Sequence, residues 1–192
     1  MTQKKLIEQF NLRSRLRFNV DQGQIWLDEN RMLLYHARAM GALRRELFDS
    51  LGVERARGLL VRMGFASGQQ DAELAKKLYG VGDPYDVFRI GPELHAFEGL
   101  VKSTIVHAEL DWERGSFVGE VDLENAWEAD SHLQQFGVGE DMACWSLVGY
   151  ASGYVTQFFN RFIVFRETSC IARGDAQCHI AGKPAEAWGD DA

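Results

Sequence analysis

No stretch of this sequence is apolar for long enough to span a bilayer, and Met1-Thr-Gln-Lys-Lys-Leu-Ile-Glu-Gln9 holds no apolar core of a secretion signal. These absences predict a cytoplasmic chain without membrane contact. Positive charge is in deficit: 21 Lys and Arg against 28 Asp and Glu give a formal net charge of −7. A chain of that sign offers no phosphate-binding face, so direct nucleic-acid contact by this segment is not expected. Arg44-Arg45 and Arg55-Ala-Arg57 read instead as solvated helix surface. There is no internal repeat, no nucleophile–base motif and no Gly-rich cofactor loop. The phosphate loop Gly-x-x-x-x-Gly-Lys-Ser/Thr is also missing; Ala181-Gly182-Lys183-Pro184 lacks the upstream glycine and the hydroxyl residue. Cysteine is scarce, with three in 192 residues. Three thiols in a reducing compartment make no disulfide framework, which leaves metal binding or simple burial.

What is present is core material. Apolar residues make up 46% of the chain, with 12 Phe, 5 Trp and 5 Tyr. That suffices for one large domain or for two small lobes sharing a core. Residues 1–15 are polar and read as loosely docked. Gly23–Leu27 reads as a short strand. A helix is expected from Asp28 to about Ser50, a second from Val53 to Ser67, and a third from Asp71 to Leu78. Gly80–Pro92 reads as a loop. Thr104–Asp111 and Ser116–Leu123 read as a hairpin, with Phe117, Gly119, Val121 and Leu123 on one face. Asn125 followed by Glu128 resembles a capping box opening a helix to about Gln135. A further helix is expected over Asp141–Phe159, with Gly149 and Gly153 one turn apart and open to close packing. Arg161–Glu167 and Gln177–Ala181 read as strands.

All three cysteines fall between residues 144 and 178, and Glu167-Thr-Ser-Cys170 sets a carboxylate beside one of them. Cys144 falls near a helix start, Glu167 and Cys170 at the end of one strand, and Cys178 at the start of the next. Thiolates with a carboxylate suit a tetrahedral zinc ion, and four protein ligands leave no open position, so such a site would be structural. The alternative is three buried cysteines acting as small hydrophobes. His179 is an alternative ligand, but strand alternation turns it to the face opposite Cys178.

Long ungapped blocks then carry a family resemblance. They are Gly23-Gln-Ile-Trp-Leu27, Arg31-Met-Leu-Leu34, Leu51-Gly-Val-Glu-Arg-Ala-Arg-Gly58, Asp71-Ala-Glu-Leu-Ala-Lys-Lys-Leu78 and Gly91-Pro-Glu-Leu-His95. Further on come Cys144-Trp145, Leu147-Val-Gly-Tyr-Ala151, Glu167-Thr-Ser-Cys170, Cys178 and Gly182-Lys-Pro-Ala-Glu-Ala-Trp188. Over residues 20–190 the chain resembles the N-terminal sensory domain of aromatic-responsive, sigma-54-dependent transcriptional activators, the phenol, dimethylphenol and xylene regulators. Its second half resembles their 4-vinyl-reductase-type module. The resemblance implies an α+β fold, with a helical N-terminal part packed with an antiparallel-sheet, zinc-containing module and sharing one core. It implies an activator-sensor region over 1–110, a zinc-binding module over 111–185, and the start of a linker over 186–192. It implies a homodimer, zinc at Cys144, Glu167, Cys170 and Cys178, and a buried pocket for a monoaromatic effector. In the family this domain restrains an AAA+ ATPase until effector binds. Neither that ATPase nor the DNA-binding helix-turn-helix lies in this sequence, so an isolated or truncated sensor is expected.

A phenol pocket must bury a ring and satisfy one hydroxyl. His95 matches the family's contacting histidine. The family's contacting tryptophan is replaced by Leu123, and Trp127 matches a position that is usually Phe. The resemblance therefore implies a roomier, less polar pocket that tolerates benzene, toluene or biaryl ligands. The remaining wall is expected from Phe88, Val101, Val121, Trp127, Tyr150, Tyr154, Phe158 and Phe165, each with ordinary core packing as the plain alternative. His36, His107 and His132 read as ordinary histidines. The leading expectation is a non-enzymatic sensor. The alternatives are an enzyme or accessory protein related to 4-vinyl reductase acting on a tetrapyrrole or aromatic, and a zinc-stabilised interaction module without a ligand.

Overall fold

The computed structural model describes residues 11–80 and 83–191. Its chain divides into two compact units, residues 1–40 and 41–192. In the first, a one-turn helix α1 (Leu12–Arg15) leads into an antiparallel meander of β1 (Leu16–Asn19), β2 (Gln24–Leu27) and β3 (Asn30–Met32). The helix expected from Asp28 is thus a tight turn and a strand at its start. Asp28 adopts a left-handed φ of 51° and takes Arg15 at 3.2 Å, which commits the local backbone to a hairpin. The helical spacing of Met32 and Leu33 carries no helix here, and α2 begins only at Ala37 and runs to Leu51.

In the second unit, α3 (Val53–Tyr79) is one helix of 27 residues, not the two expected. Gly64 and Gly68 look like helix breaks in the sequence but serve as contact points. A Cβ on them would lie 2.0 Å from the Ser146 carbonyl and 2.1 Å from that of Tyr150. The expected loop before Pro92 also holds structure. Asp83 caps α4 (Pro84–Phe88) by accepting the Tyr85 N–H at 2.8 Å, and α5 (Ile90–Phe97) follows. Val81 and Gly82 lie outside the described residues, as do residues 1–10.

The hairpin β4 (Lys102–Asp111) and β5 (Ser116–Glu124) forms as expected, with Asp111 accepting the Glu113 and Arg114 N–H groups in the turn. Helix α6 (Trp127–Phe136) has no side-chain cap, because Asn125 is turned away at φ 56°. The residue expected to complete that box, Glu128, caps a different helix. Its Oε2 accepts the Ser146 and Leu147 N–H groups at 2.7 and 3.2 Å, at the start of α7 (Trp145–Phe159). Strands β6 (Ile163–Ser169) and β7 (Cys178–Pro184) complete an antiparallel sheet of order β4-β5-β7-β6.

Helix α7 packs on both α3 and β6. Its Gly149 and Gly153 face the carbonyls of Val61 and Phe65 as Gly64 and Gly68 face α7, so four glycines let the two backbones touch. The helices of this unit and its sheet therefore share one core, in an α+β arrangement. Edge strand β6 is covered: the N–H groups of Ile163 and Phe165 go to Thr156 and Ser152 of α7, at 2.9 Å each.

Candidate binding cavity and metal centre

The inward face of the sheet, α5 and α7 enclose a cavity. Phe117, Gly119 and Val121 of β5 form part of its floor, with Ile180 of β7 and Phe165 of β6. Leu147, Tyr150, Ala151, Tyr154 and Val155 line it from α7, Gly91, Pro92 and His95 from α5, and Phe88 from α4. From β4 come Ser103, Ile105, His107 and Ala108. The β4–β5 register shifts between Ile105 and His107, so inward alternation restarts at Ala108 and His107 falls at the rim, about half exposed.

Two rings lie flat on the floor for a definable reason. Gly119 and Gly182 are register partners on β5 and β7. A Cβ on Gly119 would meet Phe117 at 2.6 Å, and one on Gly182 would meet Phe165 at 2.5 Å. The glycines make room for the phenylalanines, and the space above the rings stays open.

Among the expected wall residues, the structure brings Phe88, His95, Val121, Tyr150, Tyr154 and Phe165 to the cavity. Val101, Leu123, Trp127 and Phe158 do not line it. Leu123 shares the face of Val121 but lies one step further along β5, opposite Ser103 and Cys178, where its short side chain is buried. Val101 is buried just before β4. Trp127 is half-buried at the start of α6, with its Nε1 buried and without a partner. Phe158 lies at the outer end of α7, edge-on to Phe88 and beneath the Lys76 ammonium. Sequence faces place these four in the right elements, but not within reach of the cavity.

His95 is the polar exception in an apolar wall. It is 3% exposed, and its Nε2 has no hydrogen-bond partner. Desolvation pushes its pKa down to about 3, so the imidazole is neutral at neutral pH. Its ring stacks on that of Tyr150, with centroids 3.7 Å apart and planes 11° from parallel. The Tyr150 hydroxyl donates to Asp71 Oδ2 at 2.6 Å, and that of Tyr154 to the Val87 carbonyl at 3.4 Å. Asp71 escapes a reading of the sequence because nothing local marks a buried carboxylate inside a helix. Burial raises it to about 6, and burial with the Asp71 charge raises neighbouring Glu98 to about 8.

A second buried polar group joins three helices. Arg44 of α2 lies between the rings of Phe48 and Trp145, each 4.8 Å away, and donates to the Ala143 carbonyl at 2.9 Å. It sits 4.0 Å from Glu128, and His132 adjoins it at 3.4 Å.

Cys144, Glu167, Cys170 and Cys178 converge so that one donor atom from each lies within 4.8 Å of the others. The Sγ of Cys178 is 3.7 Å from those of both Cys144 and Cys170. Cys144 sits just before α7, Glu167 near the end of β6, Cys170 at the entry to the turn that follows, and Cys178 at the start of β7. Glu167 Oε2 accepts the Cys144 N–H at 3.0 Å, while Oε1 is buried without a partner. An orphaned carboxylate oxygen beside three buried sulfurs fits a cation. Without one, the neighbouring thiols hold Cys178 down at about 4 and push Cys144 up, and burial raises Glu167 to about 8. His179 stays on the other face of β7, 2.7 Å from Asp122 and 3.8 Å from Glu120.

Among the described residues, no helix is long and apolar enough to cross a membrane. Comparison with known proteins gives this geometry its context. Residues 123–184 match the family model of the 4-vinyl-reductase-type domain. The chain is 38% identical to the phenol regulator MopR of Acinetobacter guillouiae over 96% of its length, covering 34% of that protein. It is 41% identical to the transcriptional regulatory protein XylR of Pseudomonas putida over 94% of its length, covering 32% of that one. The chain thus spans about a third of the curated relatives it matches, and both are named as regulators. The crystal structure of the phenol-responsive sensory domain of the transcription activator PoxR, with phenol, superposes with a TM-score of 0.92 at 44% identity, covering 98% of this chain and 93% of that one. Residues 11–111 match the family model for activators of aromatic catabolism, and with more than half its length inside that match, the chain belongs to this family.

Proposed function

We propose that the chain is a non-enzymatic sensor that takes a single-ring aromatic effector into the cavity above Phe117 and Phe165. Binding there regulates the remainder of a longer sigma-54-dependent activator. The observation that carries this reading is His95: one neutral imidazole with an unsatisfied Nε2, buried in a wall otherwise built of apolar and aromatic side chains. Such a wall removes a ring from water, and the imidazole meets one hydroxyl. The phenol-bound relative supports the assignment.

With Leu123 off the lining, no indole donor supplements His95. The site therefore discriminates weakly between phenol and toluene. Titration calorimetry is expected to give saturable binding of both, with dissociation constants within about tenfold, one hydrogen bond's worth. His95→Leu is expected to weaken phenol and leave toluene alone. Failure of both ligands to bind would end the reading.

Zinc is the proposed metal. A tetrahedron with zinc–sulfur bonds of about 2.3 Å has edges of about 3.8 Å, and the two sulfur–sulfur separations are each 3.7 Å. Cys144, Glu167, Cys170 and Cys178 fill all four positions, so the ion ties the start of α7 to β6 and β7. It supplies cross-linking and no catalytic chemistry.

A further inference from the structure

The imidazole that faces the cavity is held by a chain of contacts reaching a third helix. His95 belongs to α5, Tyr150 to α7 and Asp71 to α3. The stack between the first two fixes the separation of the rings but does little to fix their common plane. That plane is set where the tyrosine is anchored, at its hydroxyl, which donates to Asp71 at 2.6 Å. Asp71 is 5% exposed and Tyr150 4%. A carboxylate is a costly acceptor in such a place, since burial alone raises it to about 6. Tying α3 to α7 does not require it, because the four glycines already bring those helices into backbone contact.

We propose that Asp71 is a positioning residue for effector recognition: it fixes the Tyr150 ring through the tyrosine hydroxyl, and the ring in turn fixes the His95 imidazole, aiming Nε2 at an effector hydroxyl. The inference rests on the sensor reading above and assigns a role to a residue that never touches the effector. It separates two ligand classes. A hydroxylated ring depends on the aim of the imidazole; a hydrocarbon ring of the same size depends on the wall alone. A merely structural Asp71 would affect both equally.

The test is calorimetry on the 192-residue chain with phenol and toluene as probes. Tyr150→Phe keeps the ring and removes the anchored hydroxyl. It is expected to weaken phenol about tenfold and to leave toluene within about twofold. Asp71→Ala is expected to do the same, and Asp71→Asn, whose amide oxygen still accepts, to restore phenol to within about threefold of the parent. Equal losses for both ligands, or unchanged phenol affinity in Tyr150→Phe, overturns the proposal. Should Asp71→Ala not fold, Tyr150→Phe decides alone. Failure of the parent chain to bind either probe is a separate result, visible before any variant is made, and removes the sensor reading together with this one.

Discussion

At the scale of single residues, the cavity wall makes the protein sensitive to alkali. Glu98 titrates near 8 inside the fold, because burial and the Asp71 charge both oppose its ionisation, and ordinarily near 4.5 outside it. The folded state therefore holds a proton that the unfolded chain has lost, and stability falls as pH rises between those values. His95 acts in the opposite sense: its pKa is depressed from 6.5 to about 3, so its penalty is felt only below pH 6.5. Between pH 6.5 and 8 the carboxyl dominates. Thermal melts are expected to shift downward across that window, and Glu98→Gln to flatten part of the slope; a parent melt independent of pH there would contradict this. His95 is legible in the sequence through the Gly91-Pro-Glu-Leu-His95 block. Asp71 is not, because its partner Tyr150 is 79 positions away and no local pattern records a pairing at that range. Glu128 misleads for the same reason: its spacing from Asn125 suggests a local cap, whereas its carboxylate serves α7, 18 positions on.

Elements are legible where their signal is local. The alternation of β4 and β5 and the Arg114-Gly115 turn lie within one hairpin, so sequence alone locates both strands to within about two residues. Helix α3 reads as two because Gly64 and Gly68 weaken a helix intrinsically. Their use is visible only once α7 lies against them. The seam yields a contrast. Gly149→Ala would place a methyl 2.1 Å from the Val61 carbonyl, and backbone cannot swing aside. Urea unfolding is expected to show a loss of about 1–3 kcal/mol, with weaker effector binding because Tyr150 rides on the displaced helix. Gly58→Ala on α3 meets only the tip of Arg62, at 3.3 Å, and is expected to gain up to about 1 kcal/mol through helix propensity. Similar losses in both variants would show that the seam is looser than drawn.

For the whole molecule, the four candidate metal ligands gather the chain's second half around one point. They are readable because all lie between residues 144 and 178, a short stretch with every cysteine in it. The cavity is readable only in part, since its lining comes from α4, α5, α7 and all four strands of the larger sheet, and its closure depends on a strand irregularity at Ile105 that no periodicity announces. Chelation is expected to lower the urea midpoint of the intact chain, and Cys178→Ser to match the chelated parent; an unchanged midpoint after complete metal removal would leave the cysteines as plain core residues.

Near its C-terminal end the chain is pinned to the outer margin of β6: Trp188 Nε1 donates to the Val164 carbonyl at 2.9 Å, and its ring lies beneath the Arg166 and Lys183 cations. The next residue, Phe165, is one of the two rings on the cavity floor. A single peptide link thus separates the surface an effector presses upon from the clasp that holds the departing chain. Whatever lies beyond residue 192 is moored within one bond's reach of the guest.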